Sequence, residues 1–92
     1  MAKVQVPRKG VTQAELATVL GRRLGAQFQV AADGPGSVIA RRSPLSAAVV
    51  RITSTPGATV FRVRAVGMPL VSLGTARVVA DALRRSPEFR AI

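Results

Sequence analysis

Residues 47–66 read AAVVRITSTPGATVFRVRAV, and no other stretch limits the fold as strongly. Two runs rich in β-branched side chains flank Thr55-Pro56-Gly57-Ala58, a turn sequence in which Pro fixes φ and Gly is expected to supply a positive φ. Side chains alternate along a strand, so each run presents two faces. In 59–66, Phe61, Val63 and Ala65 share one face, and Val60, Arg62, Arg64 and Val66 share the other. In 47–54, Val50 and Ile52 share a face opposite Val49, Arg51 and Thr53. Such a hairpin suits an antiparallel sheet with one covered apolar face and one open face. With Phe61 and Ile52 beneath helices, Arg51, Arg62 and Arg64 emerge together on the open side. Arg41 or Arg42 joins them, according to register.

The rest of the chain supplies the other strands and the cover. Residues 27–32 (QFQVAA) alternate, DGPG at 33–36 is a loop, and 37–42 (SVIARR) form a further strand ended by Ser43-Pro44. Ser43-Pro44 also resembles the cap and first residue of a helix. Val49, Val50, Ile52 and Thr53 favour a strand there instead. A helix is expected over 12–24. Thr12 and Glu15 make a T-x-x-E capping box, Val11 and Leu16 a hydrophobic staple, and Leu16, Val19, Leu20 and Leu24 the apolar stripe. Arg22 and Arg23 suit its C-terminal dipole end, and Gly25 its left-handed stop. A second helix is expected over 71–85, with Ser72 as cap. Leu73, Ala76, Val79, Ala80 and Leu83 form its inner side, and Arg77, Asp81 and Arg85 an outer ladder.

The expected fold is therefore α+β: a two-layer domain in which an antiparallel four-stranded meander carries two helices on one face, in the order α-β-β-β-β-α. Residues 1–10 read as a basic N-terminal arm, in which Val4 and Val6 alternate as in a short edge strand before Pro7 interrupts. Residues 11–86 form the domain. Residues 87–92 form a tail whose Phe89 and Ile92 are positioned to fold back onto the core. The helix–sheet–helix order is similar to that of the double-stranded-RNA-binding domain in topology and size only. The lysine-rich cluster which that family carries at the start of its second helix is replaced here by PLVSLGTAR, with Arg77 the one charge. No family is assigned on that basis.

The chain has 92 residues, enough for one domain with a modest core. Its aromatic content is 3 %, all Phe, so Val, Leu, Ile and Ala build the interior. There is no Cys, which removes disulfides and thiolate metal sites. No apolar run reaches the length of a bilayer span, and MAKVQVPRKG lacks a signal-peptide core, so a soluble cytoplasmic protein is the expectation. Fourteen Lys and Arg face four Asp and Glu, a net charge of +10. An Arg-rich, GC-biased genome accounts for Arg over Lys, but not for the scarcity of carboxylates. None occurs within residues 34–80.

Three readings of the arginine face follow. It is a solvated sheet face; or it binds phosphates through bidentate guanidinium forks, with Arg8 and Lys9 as a flexible extension; or its Arg/Val mixture docks an acidic protein, a second copy or an anionic membrane. A face that is only solvated would ordinarily mix Glu with Arg. Nucleic acid is the preferred partner. Contact would be backbone-led and weak in sequence preference, because Trp and Tyr, on which bases stack, are missing. The candidate nucleic-acid-binding residues are Arg51, Arg62, Arg64, Arg41, Arg42, Arg8 and Lys9. An enzyme is not expected. The chain has no His, Cys or Tyr, and each carboxylate has a structural assignment: Glu15 in the capping box, Asp33 in the turn, Asp81 between arginines and Glu88 in the tail. DGPGS leads into a strand and lacks the lysine of a phosphate-binding loop. No cofactor and no metal are expected.

Overall fold

The computed structural model of the chain describes residues 2–89. Along the chain run β1 (Ala2–Val6), α1 (Gln13–Leu24), β2 (Gln29–Ala32), β3 (Ser37–Ser43), β4 (Ser46–Thr55), β5 (Ala58–Gly67) and α2 (Pro69–Arg85). Single 3-10 turns, Gly25–Gln27 and Pro87–Phe89, follow the two helices. All strand pairings are antiparallel, and the sheet order is β1-β5-β4-β3-β2.

This is an α+β chain with a five-stranded antiparallel sheet and two helices. It differs from the expected order in two respects. Residues 2–6 are not a free arm but the edge strand that Val4 and Val6 offered within it: β1 pairs with β5 from Ala2↔Val63 to Val6↔Thr59. In consequence α1 does not precede the sheet but lies within its sequence, carrying the chain from the β1 edge to the β2 edge. The cause is the alternation of Val4 and Val6 with Lys3 and Gln5. Both valines fall to a few per cent exposure once β5 accepts them as neighbours. Burying a valine is worth about 1.5–3 kcal/mol, which offsets much of the cost of ordering a five-residue edge strand. Pro7 ends the ladder, and the Thr59 hydroxyl donates to the Arg8 carbonyl at 2.7 Å to hold the exit.

β2 to β5 form the meander. β4 and β5 pair from Ser46↔Gly67 to Thr55↔Ala58, leaving Pro56 and Gly57 as the turn. Gly57 does not adopt the positive φ expected of it. The helical alternative after Pro44 does not form. Ser43 instead caps a tight turn, its Oγ accepting from the Leu45 N–H at 3.3 Å, and the β-branched run enters β4 directly.

One strand parity is buried. Val4, Val38, Val50, Phe61 and Val63 join Leu16, Leu20, Val79 and Leu83 from the helices in a single apolar cluster. α1 lies against β2 and β3, and α2 lies against β5, β4 and β1. Phe89 returns from the tail to meet Phe61, with ring centroids 5.1 Å apart and planes tilted by 57°. Ile92, expected beside it, lies outside the described residues.

The helix ends also depart from expectation. Thr12 caps α1 by accepting the Glu15 N–H at 3.1 Å. The reciprocal half of the capping box gives way, because the Glu15 carboxylate pairs with Arg8. α2 starts at Pro69 rather than near Ser72. Pro suits the first turn, where its missing N–H costs nothing. The buried Ser72 hydroxyl donates to the Met68 carbonyl one turn back, at 2.7 Å. Thr75, not Leu73, faces inward and meets the Ser46 hydroxyl. Leu73 is 57 % exposed. The Arg77–Asp81–Arg85 ladder is replaced by an Asp81–Arg84 pair at 3.2 Å. Among the described residues, no helix is long and apolar enough to cross a membrane.

Candidate anion-binding face

The register assigns each cation to a face. Arg51 on β4 stands directly opposite Arg62 on β5. Arg62 is opposite Lys3 on β1, and Arg51 is opposite Ser37 on β3. One rung therefore reads Ser37, Arg51, Arg62, Lys3 across four adjacent strands, each step about 4.8 Å. The next rung on the same face carries Ile39, Val49 and Arg64, and the one beyond carries Arg41, Ala47 and Val66. Lys3, Arg41, Arg51, Arg62 and Arg64 thus share one surface, and all five are exposed. Phe61 and Val63, between the β5 arginines, are fully buried on the other side.

The surface is not a uniform charged plane. Ile39, Val49, Val60 and Val66 are half-buried among the guanidinium stems, and Ala47 is covered by its neighbours. A shallow cavity of about 260 Å³ opens between Asp33, Ser37, Val49, Arg51, Arg62 and Arg64. Three arginines, one serine and one carboxylate share its lining. Like charges directly opposite on adjacent strands are destabilising. The Arg51–Arg62 pair therefore costs the isolated sheet stability, which an anion placed between the forks would return through charge-assisted hydrogen bonds.

Not every expected residue lies here. Of the pair left open by register, Arg41 joins the face. Arg42, beside the irregular register between Arg41 and Ser43, turns to the helix side, its guanidinium 6.0 Å from the centre of the Phe28 ring. It borders a separate cleft of about 560 Å³ with Arg23, Asp81 and Arg85. Of the cleft's charged groups, Asp81 pairs with Arg84 and Arg23 is bound to Glu88 at 2.7 Å, so two of the four are engaged by partners outside the lining. Arg8 is not a flexible extension. It pairs with Glu15 and donates to the Glu88 carbonyl at 3.1 Å, tying the β1 exit to α1 and the C-terminal turn. Lys9 is exposed beside it. The paired arginines that end α1 have a role beyond the helix dipole: Arg22 and Arg23 hold Glu88 at 3.3 and 2.7 Å. The hydrogen bond from Arg23 is the main reason that the Glu88 carboxyl lies below its ordinary 4.5.

Lys3 and Ser37 belong to the face but were not singled out from the sequence. The signal for Lys3 is the alternation of Val4 and Val6: with both valines buried, strand parity turns Lys3 and Gln5 to the opposite face.

Comparison of the chain with protein-family models, with curated proteins and with solved structures finds no match.

Proposed function

We propose that this chain is a non-enzymatic binding module whose cationic sheet face contacts an anionic polymer, with nucleic-acid backbone as the preferred partner. The observation that carries the reading is the shared rung of Arg51, Arg62 and Lys3, flanked by Arg64 and Arg41 on the same surface. The five strands themselves hold no carboxylate. Guanidinium forks spaced by strand geometry suit phosphate oxygens, and a face without exposed aromatic rings suits the backbone rather than the bases.

The test is an NMR titration of the protein with a short duplex and with a single strand. Movement of the Arg51, Arg62 and Arg64 side-chain signals at low salt is the expected result. If those signals stay still while the nucleic acid is in excess, the reading fails.

A second reading, an acidic protein partner, is favoured by the half-buried valines between the arginines. It gains ground if the face is silent toward both nucleic acids yet protected in a complex that survives high salt.

A further inference from the structure

A different surface lies at one end of the molecule. The Met68 N–H donates to the Leu45 carbonyl at 2.9 Å, which pins the turn between β3 and β4 against the start of α2. Gly67 permits this approach: its φ is +114°, and a Cβ there would collide with the Leu45 carbonyl oxygen. The junction gathers five exposed apolar side chains at one tip: Leu70 at 91 % exposure, Leu45 and Leu73 at 57 %, Met68 at 54 % and Val71 at 51 %. Single apolar residues on a surface are ordinary, whereas five exposed ones on two segments joined by a hydrogen bond make a candidate contact.

The surrounding charge selects the occupant. Arg41 and Arg42 immediately precede the Ser43–Leu45 turn, and Arg77 follows Leu73 by one helical turn. No carboxylate occurs within residues 34–80, a span that includes the whole tip and these flanks. The first turn of α2 contains no acidic residue and its cap makes no side-chain hydrogen bond, so the positive end of the helix dipole faces the same way. A second copy seated on the tip would bring these cations against their own counterparts. An apolar group whose chain neighbours are Arg41, Arg42 and Arg77, the first two bordering the Ser43-Pro44 turn, is complementary to an anionic lipid surface, with acyl chains accepting the leucines and headgroups the guanidiniums.

We infer that the Leu45/Met68–Leu73 tip is a peripheral docking site for an anionic membrane surface, sharing Arg41 with the sheet face but not its Arg51–Arg62 rung. The experiment uses the full chain with vesicles of phosphatidylcholine alone or mixed with phosphatidylglycerol. The protein is expected to sediment with the mixed vesicles, less so as salt rises, and weakly with phosphatidylcholine alone. The exposed pair Leu70→Ser and Leu73→Ser should leave the circular dichroism unchanged and weaken binding by about tenfold or more, since each leucine withdrawn from lipid loses its full transfer free energy. Because the chain has no Trp, Leu70→Trp reports insertion directly, and its emission should shift to the blue on mixed vesicles. Arg51→Gln with Arg62→Gln should bind vesicles much as wild type does while losing nucleic acid, which separates failure of this site from failure of the sheet-face reading. Absence of binding, equal binding to neutral vesicles, or binding of the Leu70→Trp variant with no shift in its indole emission would overturn the inference. So would a wild-type dimer that the leucine variants convert to monomer, since a second copy would then occupy the tip.

Discussion

Arg51 and Arg62 face each other across the β4–β5 ladder, each directly opposite the other on adjacent strands. Both are exposed, so solvent screens the repulsion without abolishing it. An arrangement of this kind costs stability in the free protein and gains from an anion, so stability and binding should respond in opposite directions when it is altered.

Replacing Arg62 by Thr, a residue well suited to strands, is expected to raise stability by about 0.2–1 kcal/mol at low salt. Urea denaturation at two ionic strengths checks this. The gain should shrink as salt rises, and affinity for duplex should fall in the same variant. A loss of stability at low salt would show that the pair is not repulsive.

Five cations share the sheet face, so log K for duplex should fall against log salt with a slope of roughly −4 to −5. Replacing Lys3 by Gln should reduce the magnitude of that slope by about 1, although the sequence did not single this residue out. Replacing Arg8 should leave the slope unchanged, because Arg8 is engaged with Glu15 and the Glu88 carbonyl. Fluorescence anisotropy across a salt series distinguishes the two.

Two glycines offer opposite outcomes. Gly67→Ala forces a Cβ onto the Leu45 carbonyl oxygen at a positive φ and should destabilise by about 1–3 kcal/mol. Gly21, within α1, has open space where a Cβ would sit, so Gly21→Ala should stabilise by about 0.5–1 kcal/mol. Thermal denaturation of the two single variants is sufficient.

The Glu88 clamp carries a pH signature. Its carboxyl lies below the ordinary 4.5 because Arg23 donates to it and Arg22 adds positive charge. A carboxylate held low when folded stabilises fully above its unfolded value and loses that contribution as pH falls through the folded value. The stability difference between wild type and Glu88→Gln should therefore be constant near neutrality and shrink on acidification below 4.5. A difference that persists unchanged at lower pH would mean that the clamp contributes through packing, not charge.

Much of the sheet was legible because parity is a local property. In VFRVRAV, each residue's face follows from its neighbours, so the outward course of Arg62 and Arg64 and the burial of Phe61 and Val63 needed only the alternation. The capping threonine and the stop at Gly25 were equally local, since the groups they satisfy lie within one turn. The interior of α2 was less legible: Leu73 and Thr75 compete for adjacent positions, and hydropathy favours the wrong one. Thr75 is inside because Ser46 on β4 supplies its hydroxyl partner, a pairing across 29 positions that no helical pattern contains.

What the chain decided by itself was the four strands of the meander, the two helices and the sidedness of its central hairpin, all outcomes of side-chain alternation and backbone geometry over a few residues. Only the tertiary structure decided that β1 would complete the sheet, that Lys3 would join the rung of Arg51 and Arg62, and that Arg8 would leave the candidate site for Glu15. Those outcomes depend on which strand edge remains open and which distant carboxylate comes within reach. Both are properties of packed elements, fixed only after loops have closed and apolar surfaces have met.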